Sequence, residues 1–186
     1  MSPFDLRDLA VPIIVAPMAG GPSTPELAAA GTNAGALGFV PAGYLTAEVF
    51  AERLSAARRL ATGPIGANLF APQPSAGTPA AIEAYAKALA PEAERYGAAL
   101  GAPRFDDDAW AAKLDVLLEL RPEVASFTFG VPSPGECTRL RDAGITIVGT
   151  VTTLAEAQAA VAAGTAARSI RRPRRRSNRW SSSLRR

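Results

Sequence analysis

Short apolar runs rich in β-branched residues alternate with longer stretches whose apolar positions recur at helical spacing, and this alternation repeats along residues 1–167. The first run, Val11-Pro12-Ile13-Ile14-Val15-Ala16, ends in Pro17-Met18-Ala19-Gly20-Gly21. Ser23 or Thr24, then Pro25 and Glu26, predict the start of a helix that stops at Gly31. The second run, Ala36–Val40, precedes Thr46 as a helix cap and a helix through Leu60, whose apolar Val49, Phe50, Leu54, Ala57 and Leu60 share one face. The third, Ile65-Gly66-Ala67-Asn68-Leu69-Phe70, leads through a Pro/Gly-rich loop to helical stretches at 80–97 and 106–120. The fourth, Val124–Phe129, and the fifth, Ile145–Val148, are followed by helices over about 134–143 and 154–163.

Strands apolar on both faces and joined by helices belong to parallel sheets covered on both sides. Five such βα units predict an α/β fold, either an open doubly wound sheet or a (β/α)8 barrel of TIM type. A complete barrel typically takes about 250 residues, so a chain of 186 could hold only part of one, truncated after about five βα units. Stopping there leaves the first and fifth strands as sheet edges, with Ile13, Val15, Ile145 and Ile147 among the exposed material, and self-association through those open edges is expected.

After Ala167 the pattern stops. Nine of the 18 arginines fall in residues 168–186, whereas residues 1–167 carry 11 basic against 17 acidic residues, a balance of −6. Residues 1–167 thus read as the partial barrel and 168–186 as a disordered Arg-rich tail. The Ala/Gly/Pro-rich body is what GC-rich coding DNA produces, and a frameshift in such DNA yields Arg, Ser, Pro and Trp. The tail is therefore expected to be frameshifted sequence. The alternative is a basic arm for nucleic acid, with Trp180 stacking on a base.

The chain has no histidine and a single cysteine, Cys137. That excludes a histidine general base, Ser-His-Asp and Cys-His nucleophile systems, and His-ligated or multi-cysteine metal sites. No apolar run is long enough to span a membrane, and residues 1–8 lack a basic leader, so a cytoplasmic protein is expected.

Ligands of parallel α/β folds lie at the carboxyl ends of the strands. That places Ala16–Gly21, Gly43-Tyr44, Asn68–Phe70, Phe127–Val131 and Gly149–Thr153 around any site. Each segment also has a structural role open to it. The first could be a tight turn with Met18 in the core, Asn68 a turn residue, and Thr150, Thr152 or Thr153 a helix cap. Asp106-Asp107-Asp108 reads as exposed carboxylates at a helix start rather than a metal site, and Cys137 as a small buried side chain.

Taken together, the segments are more specific. Pro12–Gly21, then Gly35-Ala36-Leu37-Gly38-Phe39-Val40 with Ala42-Gly43-Tyr44, Gly66–Phe70, Ser126–Pro132 and Gly149–Thr153 with Glu156-Ala157 resemble, in order, the nitronate monooxygenase family, once called 2-nitropropane dioxygenases. The resemblance implies an FMN-dependent barrel that oxidises alkyl nitronates with dioxygen, passing electrons from substrate to flavin and releasing nitrite and a carbonyl product. It implies that Ala16, Pro17 and Met18 lie against the flavin ring and that Asn68 contacts FMN. Gly20 and Gly21 are expected to leave room for the flat cofactor. The family's catalytic histidine and flavin-contacting glutamine lie on a later segment that this sequence replaces with its arginine-rich end. No catalytic residue is therefore assigned, and impaired activity is expected. Another FMN barrel, such as an enoyl reductase, is the alternative within the same fold.

Overall fold

A computed structural model describes residues 4–75, 77–165 and 167–170. Six strands, β1 (Ile14–Val15), β2 (Leu37–Pro41), β3 (Ile65–Phe70), β4 (Val124–Thr128), β5 (Thr146–Val151) and β6 (Ala167–Ile170), form one sheet in the order β1-β2-β3-β4-β5-β6. Every neighbouring pair is parallel, from Ile14 against Leu37 to Val151 against Ile170. Between them run α1 (Pro25–Asn33), α2 (Ala47–Leu60), α3 (Pro79–Arg95), α4 (Trp110–Leu120), α5 (Pro134–Asp142) and α6 (Leu154–Ala163).

Strand order decides the architecture. A doubly wound sheet reverses direction at a switch point. Here each strand lies beside its successor, so right-handed crossovers put the packed helices α1, α2, α4, α5 and α6 on the same side and the sheet curls toward a barrel. The fold is part of a (β/α) barrel, the architecture that the family resemblance implied and that the βα alternation alone left open beside a doubly wound sheet.

The pleat sorts side chains onto two faces. Val40, Ala67, Leu69, Ala125, Phe127, Ile145 and Ile147 face outward and are buried against Phe50 and Leu54 of α2, Leu114 and Leu117 of α4, and Cys137 and Leu140 of α5. The inner face begins with Leu37, Phe39 and Val124, which meet Phe4, Leu6 and Leu9 of the amino-terminal segment. The Thr146 hydroxyl donates to the Phe4 carbonyl at 2.6 Å, so that segment closes the amino end of the curled sheet.

Helix starts follow local chemistry. Thr24, Thr46, Thr78, Ser133 and Thr153 cap α1, α2, α3, α5 and α6 through their side-chain oxygens. Of the two candidates for the first cap, Thr24 does the work, and α1 runs past Gly31 to Asn33. No residue of α3 is buried. Among the described residues no helix is long and apolar enough to cross a membrane.

Three expectations differ from what is observed. A sixth strand follows α6, so the edges are β1 and β6 rather than the first and fifth strands. It has no apolar run because parallel pairing to β5 is made by the backbone. Ile145 and Ile147 are buried, at 1% and 0% exposure, because α5 covers the outer face of β5; Ile13 is 58% exposed. Asp106–Asp108 do not begin a helix, since α4 starts at Trp110. The arginine-rich segment from residue 171 onward, including Trp180, lies outside the described residues, and with it the expectations of disorder, frameshift and nucleic-acid binding.

Candidate functional site

At the carboxyl ends of the strands the inner face turns from apolar to polar. Asn68, two residues beyond Gly66 on β3, is 4% exposed. Its amide nitrogen donates to the Ser126 carbonyl (3.1 Å), the Ser126 hydroxyl (2.9 Å) and the Thr128 hydroxyl (3.1 Å) on β4. These partners fix the side chain, and because all three contacts use the nitrogen, the amide oxygen is left as the available acceptor. Thr150 on β5 has the same strand parity as Val148 and extends the row of hydroxyls. A cavity of about 490 Å³ opens between Thr128, Thr150 and the start of α6.

The β1–α1 loop stands at the carboxyl end of β1, at the sheet edge two strands from Asn68. Ser23, 1% exposed, accepts from the Met18 amide at 2.9 Å and donates to the Ala16 carbonyl at 2.7 Å. Its role is to pin this loop rather than to cap α1. With the Met18 amide occupied and Pro17 lacking one, the loop offers a largely apolar surface headed by Met18, which is 45% exposed rather than in the core. Gly20 and Gly21 have φ of +86° and +125°, and a Cβ on either would meet nothing within 4 Å. Glycine is required here by backbone conformation, and the space beside it is open.

A second cavity, of about 820 Å³, lies on the other side of Phe70. Phe70 shares its strand face with Asn68 and meets Tyr44 edge-on at 5.4 Å and Phe129 at 5.0 Å. Gly43 allows this approach, since a Cβ there would stand 2.4 Å from the Phe70 ring. Asp108 lies behind Tyr44, with Oδ1 accepting the Tyr44 amide at 2.9 Å and lying 2.8 Å from Lys113 Nζ. Lys113 is 1% exposed and the Asp108 side chain 20%, in place of the exposed carboxylate expected.

The rim above the strands is acidic. Hydrogen bonds from their own backbone amides, aided by the Thr24 and Thr46 hydroxyls, hold Glu26 and Glu48 below the usual carboxylate range. Glu156 is held low by the Thr152 amide at 2.5 Å and the Thr152 hydroxyl. Burial works to raise Glu136, but bonds from Ser133 and Trp110 outweigh it and its carboxyl is lowered too. Helix N-termini ordinarily attract anions; those of α1, α2, α5 and α6 each already carry a carboxylate in the first turn.

Of the residues singled out in the sequence, Ala16, Pro17, Met18, Gly20 and Gly21 form the edge loop, and Asn68 stands on the inner wall. Thr153 caps α6 and Thr152 binds Glu156, while Thr150 belongs to the inner face. Cys137 is fully buried under β5. The Asp108–Lys113 pair and the latch role of Ser23 were not foreseen. The Ser23 contacts lie within one loop and depend on its folded path, whereas the Tyr44–Asp108 bond joins positions 64 residues apart.

The family model for nitronate monooxygenase matches residues 5–169. A nitronate monooxygenase of Paraburkholderia phytofirmans is 40% identical over 157 residues, covering 82% of this chain and 43% of that protein. A probable nitronate monooxygenase of Bacillus subtilis is 34% identical over 149 residues, covering 80% and 43%. The solved structure of nitroalkane oxidase from Streptomyces ansochromogenes superposes with a TM-score of 0.81 at 47% identity, over 88% of this chain and 47% of that one. FabK from Thermotoga maritima, at 22% identity and a TM-score of 0.62, shares the fold. The chain thus spans less than half the length of these relatives. Its strand order, its five ordered motifs and a family match over almost all the described residues agree: this chain belongs to the nitronate monooxygenase family.

Proposed function

We propose that this chain contributes the flavin-ring side of an FMN-dependent site for oxidising alkyl nitronates with dioxygen to a carbonyl product and nitrite. The observation that carries the proposal is Asn68. A buried amide whose nitrogen is tied to β4 presents its oxygen as an acceptor on the inner wall, which suits a ring N–H. Ala16, Pro17 and Met18 would supply the apolar surface for the ring face, with open space beside Gly20 and Gly21. The bound flavin would take electrons from the nitronate and pass them to dioxygen. The chain's own residues would bind and orient: Asn68 fixes the ring edge, the Ser23 latch holds Met18 in place, and the hydroxyls of Thr128 and Thr150 line the space in front.

The phosphate end of the cofactor fits these residues poorly. Four helix N-termini on the rim carry anionic glutamates, and a dianionic phosphate beside them meets like charge rather than free amide donors. The chain also has no histidine to move a proton. It therefore holds FMN weakly and turns over slowly by itself. The test is to express the 186-residue chain, add FMN, pass it through a desalting column and assay nitrite release from an alkyl nitronate. Expected is a colourless eluate with nitrite release at least a hundredfold below that of a full-length relative. A stoichiometric flavin spectrum with rapid nitrite release would overturn the weak-binding part. Failure of any flavin to perturb the spectrum at millimolar concentration would overturn the flavin assignment.

The alternative within the same fold is a second flavin chemistry, enoyl reduction. Greater activity on an enoyl thioester than on a nitronate would select it.

A further inference from the structure

The buried pair Asp108–Lys113 has no part in the ring site, yet it controls the loop that carries Tyr44. Asp108 Oδ1 accepts the Tyr44 amide and lies 2.8 Å from Lys113 Nζ, while Oδ2 and Nζ are both buried without a hydrogen-bond partner. An apolar pair of similar volume would stabilise this position as well or better. What a carboxylate adds is the directed bond to the Tyr44 amide. The surrounding backbone needs such a restraint: Tyr44, Asp108, Ala109 and Phe129 have φ of 65°, 57°, 52° and 73°, a conformation unfavourable for residues with a Cβ. All four line the 820 Å³ cavity.

We propose that Asp108 and Lys113 are positioning residues, and that the Tyr44–Phe70–Phe129 wall they hold is the subsite for the hydrocarbon end of the substrate. The inference rests on the nitronate reading above and adds an orientation and a chain-length preference to it. Charge sets the orientation. Glu48, Asp106 and Asp107 border the wall, with Arg104 lying 3.9 Å from Asp106. An anionic nitronate group is disfavoured there and turns toward the neutral Asn68–Ser126–Thr128 row, which leaves the alkyl chain on the aromatic rings. A longer chain covers more of Tyr44 and Phe129, which are 78% and 63% exposed without it.

The test is equilibrium binding of the nitronate anions of 1-nitrohexane and nitroethane, preformed in base, to the full chain, followed by ligand-observed NMR, which needs no flavin. Expected is at least tenfold tighter binding of 1-nitrohexane. Tyr44→Ala or Phe129→Ala, both at exposed rings, cuts that ratio to threefold or less and leaves nitroethane within twofold. Asp108→Ala loses the preference in the same way, while Asp108→Asn, which keeps an oxygen for the Tyr44 amide, retains most of it. Should the Asp108 variants fail to fold, hydrogen exchange of the Tyr44 amide in the unaltered chain decides the positioning role, with marked protection expected. A ratio near one, a tenfold ratio that survives Tyr44→Ala, or an unprotected Tyr44 amide overturns the proposal. A Tyr44-dependent preference without any flavin binding would sink the flavin reading alone; FMN binding with a ratio indifferent to Tyr44 would sink the subsite alone.

Discussion

Gly38→Val is expected to abolish cooperative folding of the chain. Gly38 lies in β2 where α1 crosses it at backbone distance: a Cβ there would stand 1.9 Å from the Ala28 carbonyl oxygen and 2.7 Å from the Ala28 Cα. Neither is the movable end of a side chain, so α1 itself must lift away. The same contact is tied by hydrogen bonds, because the Gly38 amide donates to the Thr32 hydroxyl at 3.0 Å and that hydroxyl donates to the Pro64 carbonyl at 2.9 Å. Moving α1 breaks both bonds, and Thr32 is buried. Overpacking usually costs about 1–3 kcal/mol, and orphaning buried polar groups adds roughly 1–3 kcal/mol more. Domains have a marginal stability of about 5–15 kcal/mol, and a sheet with two open edges is expected at the low end of that range, where this loss leaves no folded state. Urea unfolding followed by circular dichroism checks this: the unaltered chain should unfold in a sigmoidal transition and Gly38→Val without one. Gly66→Ala makes a graded control, since a Cβ there meets the Phe39 ring at 2.5 Å, a side chain with some freedom to turn.

Asn68→Leu is expected to have the largest effect on cofactor binding with a much smaller effect on folding. Leucine fills nearly the same volume but removes the amide that donates to Ser126 and Thr128 and the oxygen offered to the ring. Ser126 keeps another partner, its hydroxyl lying 3.4 Å from the Ala67 carbonyl, so the loss in stability should stay near 2 kcal/mol or below. Losing one ring hydrogen bond of about 1–1.5 kcal/mol corresponds to roughly tenfold in affinity. Titration of riboflavin quenching against each protein gives the comparison. Equal affinities for the two proteins would remove Asn68 from the site, wherever else the ring might bind.

The alternation of strands and helices was legible because each βα unit declares itself locally, whereas the barrel was implied only by the family resemblance. Apolar runs such as Ile65–Phe70 can only be buried on both faces, Thr46 and Thr153 announce the helices behind them, and Gly20 and Gly21 mark the turn after β1. Asn68 by itself read as a turn residue at a strand end, and only the family resemblance pointed to it as a site residue. What stayed hidden was made by individual side-chain contacts or by the backbone. β6 exists through pairing with β5, which asks little of side chains. Lys113 falls on the buried side of α4, and only its approach to Asp108 at 2.8 Å explains a lysine there. Ser23 looked like one of two equivalent helix caps until the Met18 amide and Ala16 carbonyl were found on its hydroxyl. The acidic rim was also present in the sequence as Glu26, Glu48, Glu136 and Glu156. Its meaning emerged only once the helix N-termini were gathered at one end of the sheet.

That rim bears on the central claim, that these residues hold the ring of a flavin and do little for its phosphate. Riboflavin is FMN without the phosphate, so the ratio of their dissociation constants for the 186-residue chain isolates the phosphate contribution. Both flavins are expected to bind weakly and within about threefold of each other, with riboflavin equal or better at low salt, where repulsion from the glutamates is least screened. FMN binding ten times or more tighter than riboflavin would contradict the claim, because it would mean that this chain builds a phosphate site after all.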